Sequence, residues 1–210
     1  YAGIRLLIVR RTYQELESNH IRILRPQLAQ VAEYKATTRT FTFLNGSTLE
    51  FGYCASDGDM DRYQGAEYDV IFLDECTQLR EQWMRQFAAC LRGVNDFPKR
   101  IYYTCNPGGP GHSYIKRLFI DRRFEPGENP DDYVFIPARV TDNKALLAAQ
   151  PDYLKQLEAL PRRLRQAWLE GRWDIFQGQV FSEFTDDPTH YADRRFTHVI
   201  PAFDIPREWR

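Results

Sequence analysis

The sequence predicts an α/β fold built on a mostly parallel sheet flanked by helices, with a helical C-terminal portion. Apolar runs of strand length stand at residues 4–9, 68–73 and 100–104, helical patterns separate them, and breaker-rich segments mark where the strands stop. In such a sheet, ligands collect at the carboxyl ends of the strands.

Ile4 to Val9 is almost continuously aliphatic apart from Arg5, which is how a strand covered on both faces reads. Thr12 followed by Glu15 forms a capping box for a helix running to Val31, with Leu16, Ile23, Leu24 and Leu28 as its apolar stripe. Thr40 to Leu44 and Thr48 to Gly52 alternate in strand fashion around Asn45-Gly46, a dipeptide suited to a hairpin turn. Residues 57–65 are polar and turn-rich. The second buried strand, Tyr68 to Leu73, ends in Asp74-Glu75, and a helix is expected over 80–91. The third strand, Arg100 to Thr104, runs into Asn106-Pro107-Gly108-Gly109-Pro110-Gly111, and an amphipathic stretch covers 113–120. A further strand is expected over Tyr133 to Ala138. Beyond Asp142 the pattern turns helical, with Pro151 and Pro161 at positions where a first turn accepts proline. After Gly171 it becomes aromatic and loses periodicity.

Composition narrows the class of protein. With 210 residues, 43% of them apolar and 14% aromatic, the chain can bury one sizeable core. The net charge of −1 hides a skew, because five of the 28 cations are lysines and the other 23 arginines, and arginine suits bidentate contact with phosphate or carboxylate. The balance lacks the basic excess of a non-specific DNA binder. Cys54, Cys76, Cys90 and Cys105 are too widely spaced for paired zinc ligands and read as reduced thiols. No apolar run reaches the ~20 residues that span a bilayer, so a cytoplasmic protein is expected.

Three places can carry chemistry. Phosphoryl transfer needs a carboxylate to hold Mg²⁺ and a second group to orient the attacking water, and a buried strand ending in Asp74-Glu75 supplies both. Strand alternation would point the two side chains opposite ways. Thr104 and Asn106, at the tip of the next strand, face one side of an extended backbone and could sense the γ-phosphate. Arg62, in the loop before the second strand, could stabilise charge on a transferring phosphoryl group. Each place also has an ordinary structural reading as a polar strand exit, a turn or a solvated arginine. No lysine follows a glycine anywhere, so no phosphate-cradling loop occurs in this sequence.

In order and spacing, these residues resemble the large terminase subunit of tailed bacteriophages. Arg10-Arg11-Thr12 is similar to the segment after that family's P-loop helix, and Gly65 to Glu75 to its Walker B region. Thr104 to Ser113 resembles its coupling motif, while Thr141-Asp142-Asn143, Glu170 to Trp173 and Gly178 to Phe184 resemble the end of its ATPase domain. The resemblance implies a P-loop NTPase-like fold, lacking its first strand and P-loop here, with an ATPase core over 1–175 and a linker over 176–210 leading to an absent nuclease domain. It makes Asp74 the Mg²⁺ ligand, Glu75 the catalytic glutamate, and Thr104 with Asn106 the coupling element. Arg62 departs from the pattern, since Tyr63 and Gln64 separate it from Gly65, where the family sets an arginine directly before the glycine. ATP and Mg²⁺ are the implied cofactors. The implied partners are double-stranded DNA, a portal protein, the small terminase subunit and further copies in a ring, in the cytoplasm of a bacterial host. By itself this chain is expected not to turn over ATP. A helicase-like ATPase fragment and a non-catalytic scaffold domain remain alternative readings.

Overall fold

The structure, a computed structural model, describes residues 1–174, 188–193, 195 and 197–201. The chain divides into two compact units, Tyr1–Ile175 and Phe176–Arg210. In the second, a 3-10 turn at Pro188–His190 is followed by Asp193, whose carboxylate lies 3.1 Å from His190 Nδ1. Gly178 to Phe184, and most of the expected linker, lie outside the described residues.

The first unit is a six-stranded sheet. Its strands are β1 (Arg5–Arg10), β2 (Ala32–Lys35), β3 (Thr40–Phe43), β4 (Thr48–Tyr53), β5 (Val70–Leu73) and β6 (Arg100–Tyr103), in the order β2-β3-β4-β1-β5-β6. β4, β1, β5 and β6 run parallel, and β2 and β3 add an antiparallel edge. At the β3–β4 turn Gly46 takes φ +78°, and the Asn45 side chain accepts from the Ser47 N–H.

Alternation along β1 explains its apolar run. Leu7 and Val9 enter a core with Ile71, Leu73, Met84 and Phe87, beneath the helix Glu81–Ala89. Leu6 and Ile8 pack on the opposite face against Leu16, Ile21, Phe41 and Phe51, beneath the helical run of residues 13–28. Apart from the half-buried Leu6 and Ile8, each of these side chains is buried and contributes about 1.5–3 kcal/mol.

The first helix departs from its expected stripe. It opens on the Thr12–Glu15 capping box, but Glu17–Ile21 forms a π turn between the α-helical stretches Tyr13–Leu16 and Arg22–Leu28. A π turn inserts an extra residue and delays the face behind it by one position. Leu16 is therefore followed inside by Ile21, which is fully buried, while Ile23 is 52% exposed.

Two further departures concern strands. β2 had no expectation attached to it, and it forms because Ala32 and Tyr34 turn inward opposite Phe43 and Phe41. Tyr133 to Ala138 is not a strand: Val134 and Ile136 are 72% and 81% exposed, and among the described residues no ladder joins this stretch to β6. A β-prone composition supplies propensity, but a strand needs a partner edge.

Gly52 is required by close approach. A Cβ there would lie 2.2 Å from the Tyr63 hydroxyl and 3.0 Å from its ring carbon Cζ, and Tyr63 is buried with its hydroxyl donating to the Tyr53 carbonyl. Gly52→Ala is expected to lower stability in urea unfolding by about 1–3 kcal/mol, and Tyr63→Phe in the same chain to recover part of the loss. A change within about 0.5 kcal/mol for the single variant would show that the ring gives way freely.

Candidate functional site

The site lies where β1, β5 and β6 end side by side. The β1–β5 ladder continues one rung past the strand, with the Asp74 N–H donating to the Val9 carbonyl at 2.9 Å. On the other side the Thr104 N–H donates to Leu73, and the Cys76 N–H to Thr104. The backbone thus fixes Asp74 between the tips of β1 and β6.

Both Asp74 carboxylate oxygens are engaged. Oδ1 accepts a short hydrogen bond from the Thr104 hydroxyl. Oδ2 lies 2.8 Å from His20 Nε2 and 2.9 Å from Arg10 Nε. The Arg10 nitrogen is out of line for a hydrogen bond, so its contact is ionic. Burial pushes the Asp74 carboxyl up, but His20, Thr104 and the Arg10 charge outweigh it and hold it below its ordinary value.

Glu75 stands differently. Its backbone adopts the left-handed conformation, φ 51° and ψ 46°, at a cost of about 1–3 kcal/mol for a residue with a side chain. Simple strand alternation therefore does not set its direction; a turn does. The Thr104 hydroxyl accepts from the Glu75 N–H at 3.4 Å, and Arg10 Nη2 lies 3.8 Å from Glu75 Oε1. Burial, then the Asp74 charge, push the Glu75 carboxyl up, against Arg10 and the Asn106 backbone N–H. Two adjacent carboxylates with affinities shifted in opposite directions suit a division of labour, one holding a cation and the other taking a proton.

The glycine-rich loop after β6 is locked onto the Glu75 turn. The Thr77 hydroxyl donates to the Asn106 carbonyl at 2.9 Å, and the Gly111 N–H to the Thr77 carbonyl at 2.8 Å. At Gly109, with φ +91°, a Cβ would lie 2.4 Å from that same carbonyl. The side chains of Thr104 and Asn106 are exposed and alternate with the half-buried Tyr103 and Cys105, so both face solvent on one side.

Of the residues singled out in the sequence, Asp74, Glu75, Thr104 and Asn106 come together. Arg62 is held elsewhere at the carboxyl end of the sheet: its Nη2 donates to Asp59 and the Tyr53 carbonyl, and its guanidinium lies 4.0 Å from the Tyr53 ring centre.

A family model described as "Terminase large subunit, T4likevirus-type, N-terminal" matches residues 5–185. The chain belongs to the terminase large subunit family. Among solved structures, it is similar to a large terminase from a thermophilic bacteriophage in complex with ADP, at TM-score 0.64 and 20% identity over 82% of this chain and 41% of that one. The same terminase in complex with ATP-γ-S gives TM-score 0.60 and 22% identity over 82% and 40%. The large terminase ATPase domain of Thermus phage P74-26 gives TM-score 0.51 and 13% identity over 81% and 77%. No curated protein sequence matches. These likenesses establish the terminase ATPase-domain fold, a P-loop NTPase-like α/β sheet, and the chain spans 41% of the large terminase it matches at TM-score 0.64.

Within this terminase fold, Arg10 and His20 are the site residues that sequence reading missed. Arg10 ends β1, and β1 pairs with the strand that carries Asp74, so the topology alone flags it. The basic segment 116–123 is largely spent on internal contacts: Lys116 pairs with Asp121, Arg117 holds Glu128 through two bonds, and Arg122 binds the Pro130 and Tyr133 carbonyls. Arg162 and Arg163 are exposed. No helix among the described residues is long and apolar enough to cross a membrane.

Proposed function

We propose that this terminase segment supplies the metal-side and water-activating carboxylates of an ATP-driven motor that moves double-stranded DNA into a procapsid. The observation that carries this reading is the Thr104 hydroxyl bridging Asp74 and the Glu75 backbone across the ends of two parallel strands. One carboxylate beside a hydroxyl is a donor set that fits Mg²⁺, which is commonly held by one or two carboxylates together with phosphate oxygens and waters. Asp74 would hold the cation with Thr104 beside it, and the cation would neutralise charge on the β and γ phosphates of ATP. Glu75, turned out of the strand and raised in proton affinity, takes the proton of the attacking water.

Thr104 and Asn106 form the coupling element in this reading. A change at the γ-phosphate, sensed by the exposed Thr104 and Asn106 side chains, passes into the glycine-rich loop, whose backbone is tied to Thr77 at the Asn106 carbonyl and the Gly111 N–H. Arg62 stands at the same end of the sheet and acts as a charge-stabilising arginine, in cis or toward a neighbouring subunit of a ring, only if it leaves Asp59 and Tyr53. The portal protein and the small terminase subunit are the proposed partners, and the host cytoplasm the place of action. Asn106→Ala in the full-length terminase is expected to keep ATP binding and leave hydrolysis within about tenfold, yet to abolish DNA translocation, measured side by side. Parallel loss of hydrolysis and translocation would place Asn106 in the chemistry rather than in its coupling.

A further inference from the structure

Arg10 is the last residue of β1, and the register that sets Val9 opposite Leu73 carries its side chain to Asp74. That side chain is 12% exposed. Its guanidinium reaches both carboxylates of the pair, Nε toward Asp74 Oδ2 and Nη2 toward Glu75 Oε1. His20 approaches the same Asp74 oxygen from the π turn Glu17–Ile21, and Thr104 takes the other oxygen. A divalent cation binding either oxygen of Asp74 then stands within a few ångströms of a poorly hydrated guanidinium.

We propose that Arg10, backed by His20, is the internal counter-cation of the Asp74–Glu75 pair: it offsets their mutual repulsion and competes with divalent cations for Asp74. Free cation then binds weakly. A cation arriving on a polyphosphate brings the negative charge that draws the guanidinium away, so the site favours metal and nucleotide entering together. Arg10 is a positioning residue in this scheme, since it acts through the carboxylates. The inference rests on Asp74 being the metal-side carboxylate.

A buried support and a competing cation differ in the sign of their effect on metal affinity. Removing a support leaves the carboxylates less ordered and weakens binding, whereas removing a competing charge strengthens it. Mn²⁺ titration of the chain, followed by the electron paramagnetic resonance of free Mn²⁺, reads that sign directly. Arg10→Gln is expected to tighten Mn²⁺ binding by about tenfold or more, because unit charges this close in a partly dry site repel strongly. Arg10→Lys, which keeps the charge, should stay within about threefold of wild type. Unchanged or weaker binding in Arg10→Gln overturns the proposal while leaving the metal reading intact, provided that Asp74→Asn abolishes binding. If Asp74→Asn binds Mn²⁺ as wild type does, the reading of Asp74 as the metal-side carboxylate fails, and this inference with it. Should circular dichroism show Arg10→Gln unfolded, Arg10→Met, which keeps an apolar stem without the charge, decides by the same rule, with tighter binding supporting the scheme and unchanged or weaker binding overturning it.

Discussion

Glu75→Gln in the full-length terminase is expected to lower ATP turnover by ~10²- to 10⁴-fold, the range a general base contributes, while ATP affinity stays within a few-fold. The amide keeps the size and hydrogen-bonding reach of the carboxylate but cannot take a proton from water. Its backbone should hold, because the left-handed turn is fixed by contacts of the Glu75 main chain rather than its side chain: Glu75 N–H to the Thr104 hydroxyl, and Gln78 N–H to the Glu75 carbonyl. Asp74→Asn should instead weaken nucleotide binding in the presence of Mg²⁺, since it removes the charge opposite the cation. Phosphate release and equilibrium nucleotide binding, measured on both variants, separate the two roles. Near-normal turnover in Glu75→Gln would end the assignment of Glu75 as the base.

Asp69→Ala is expected to lower folding stability by about 3–5 kcal/mol without touching the strand ends that carry Asp74 and Glu75. Asp69 is 1% exposed and sits at the opposite end of β5 from Asp74. Its oxygens accept from the Arg5 N–H at 2.9 Å and the Asn95 side chain at 2.9 Å, and Lys99 Nζ stands 2.9 Å away. Truncation leaves the Arg5 amide without its acceptor and Lys99 without its counter-charge; Lys99 Nζ still donates to Asn95 Oδ1 and to the Asn95 and Phe97 carbonyls, which favours the lower end of the range. Burial pushes the Asp69 carboxyl up, but the Arg5 amide, Lys99 and Asn95 outweigh it and hold it below its ordinary value. The folded state therefore binds the proton less readily than the unfolded chain, whose value is about 3.9. Stability from this carboxylate is fully present above that pH and is lost as pH falls through the folded value. The gap between wild type and Asp69→Asn in chemical unfolding should accordingly be constant from neutrality down to about pH 5 and shrink below about 4. A gap that widens on acidification would reverse the assignment.

Much of this molecule was written along the chain. Local rules gave the apolar runs of β1 and β5, the Thr12–Glu15 cap and the Asn45-Gly46 turn, because each depends on neighbours a few residues away. The strand end at Asp74-Glu75 was legible for the same reason: four apolar residues followed by two acids mark the point where the backbone leaves the core. Beyond the β3–β4 hairpin, which strand lies beside which was not legible. Residues 133–138 carry strand-like composition but no partner edge, and β2 found one in β3 with a weaker signal. Arg10 and His20 belong to the candidate site only because β1 lies beside β5 and because a π turn delays the inner face by one residue, burying Ile21, leaving Ile23 exposed and carrying His20 to Asp74. The direction of Glu75 likewise comes from a left-handed turn stitched to the glycine-rich loop 31 residues further on, at Asn106. Sequence determined which side chains could do the chemistry, since residue type and strand ends are local properties. Tertiary structure decided which of them meet and with what charge around them, since distance and burial depend on segments far apart in the chain.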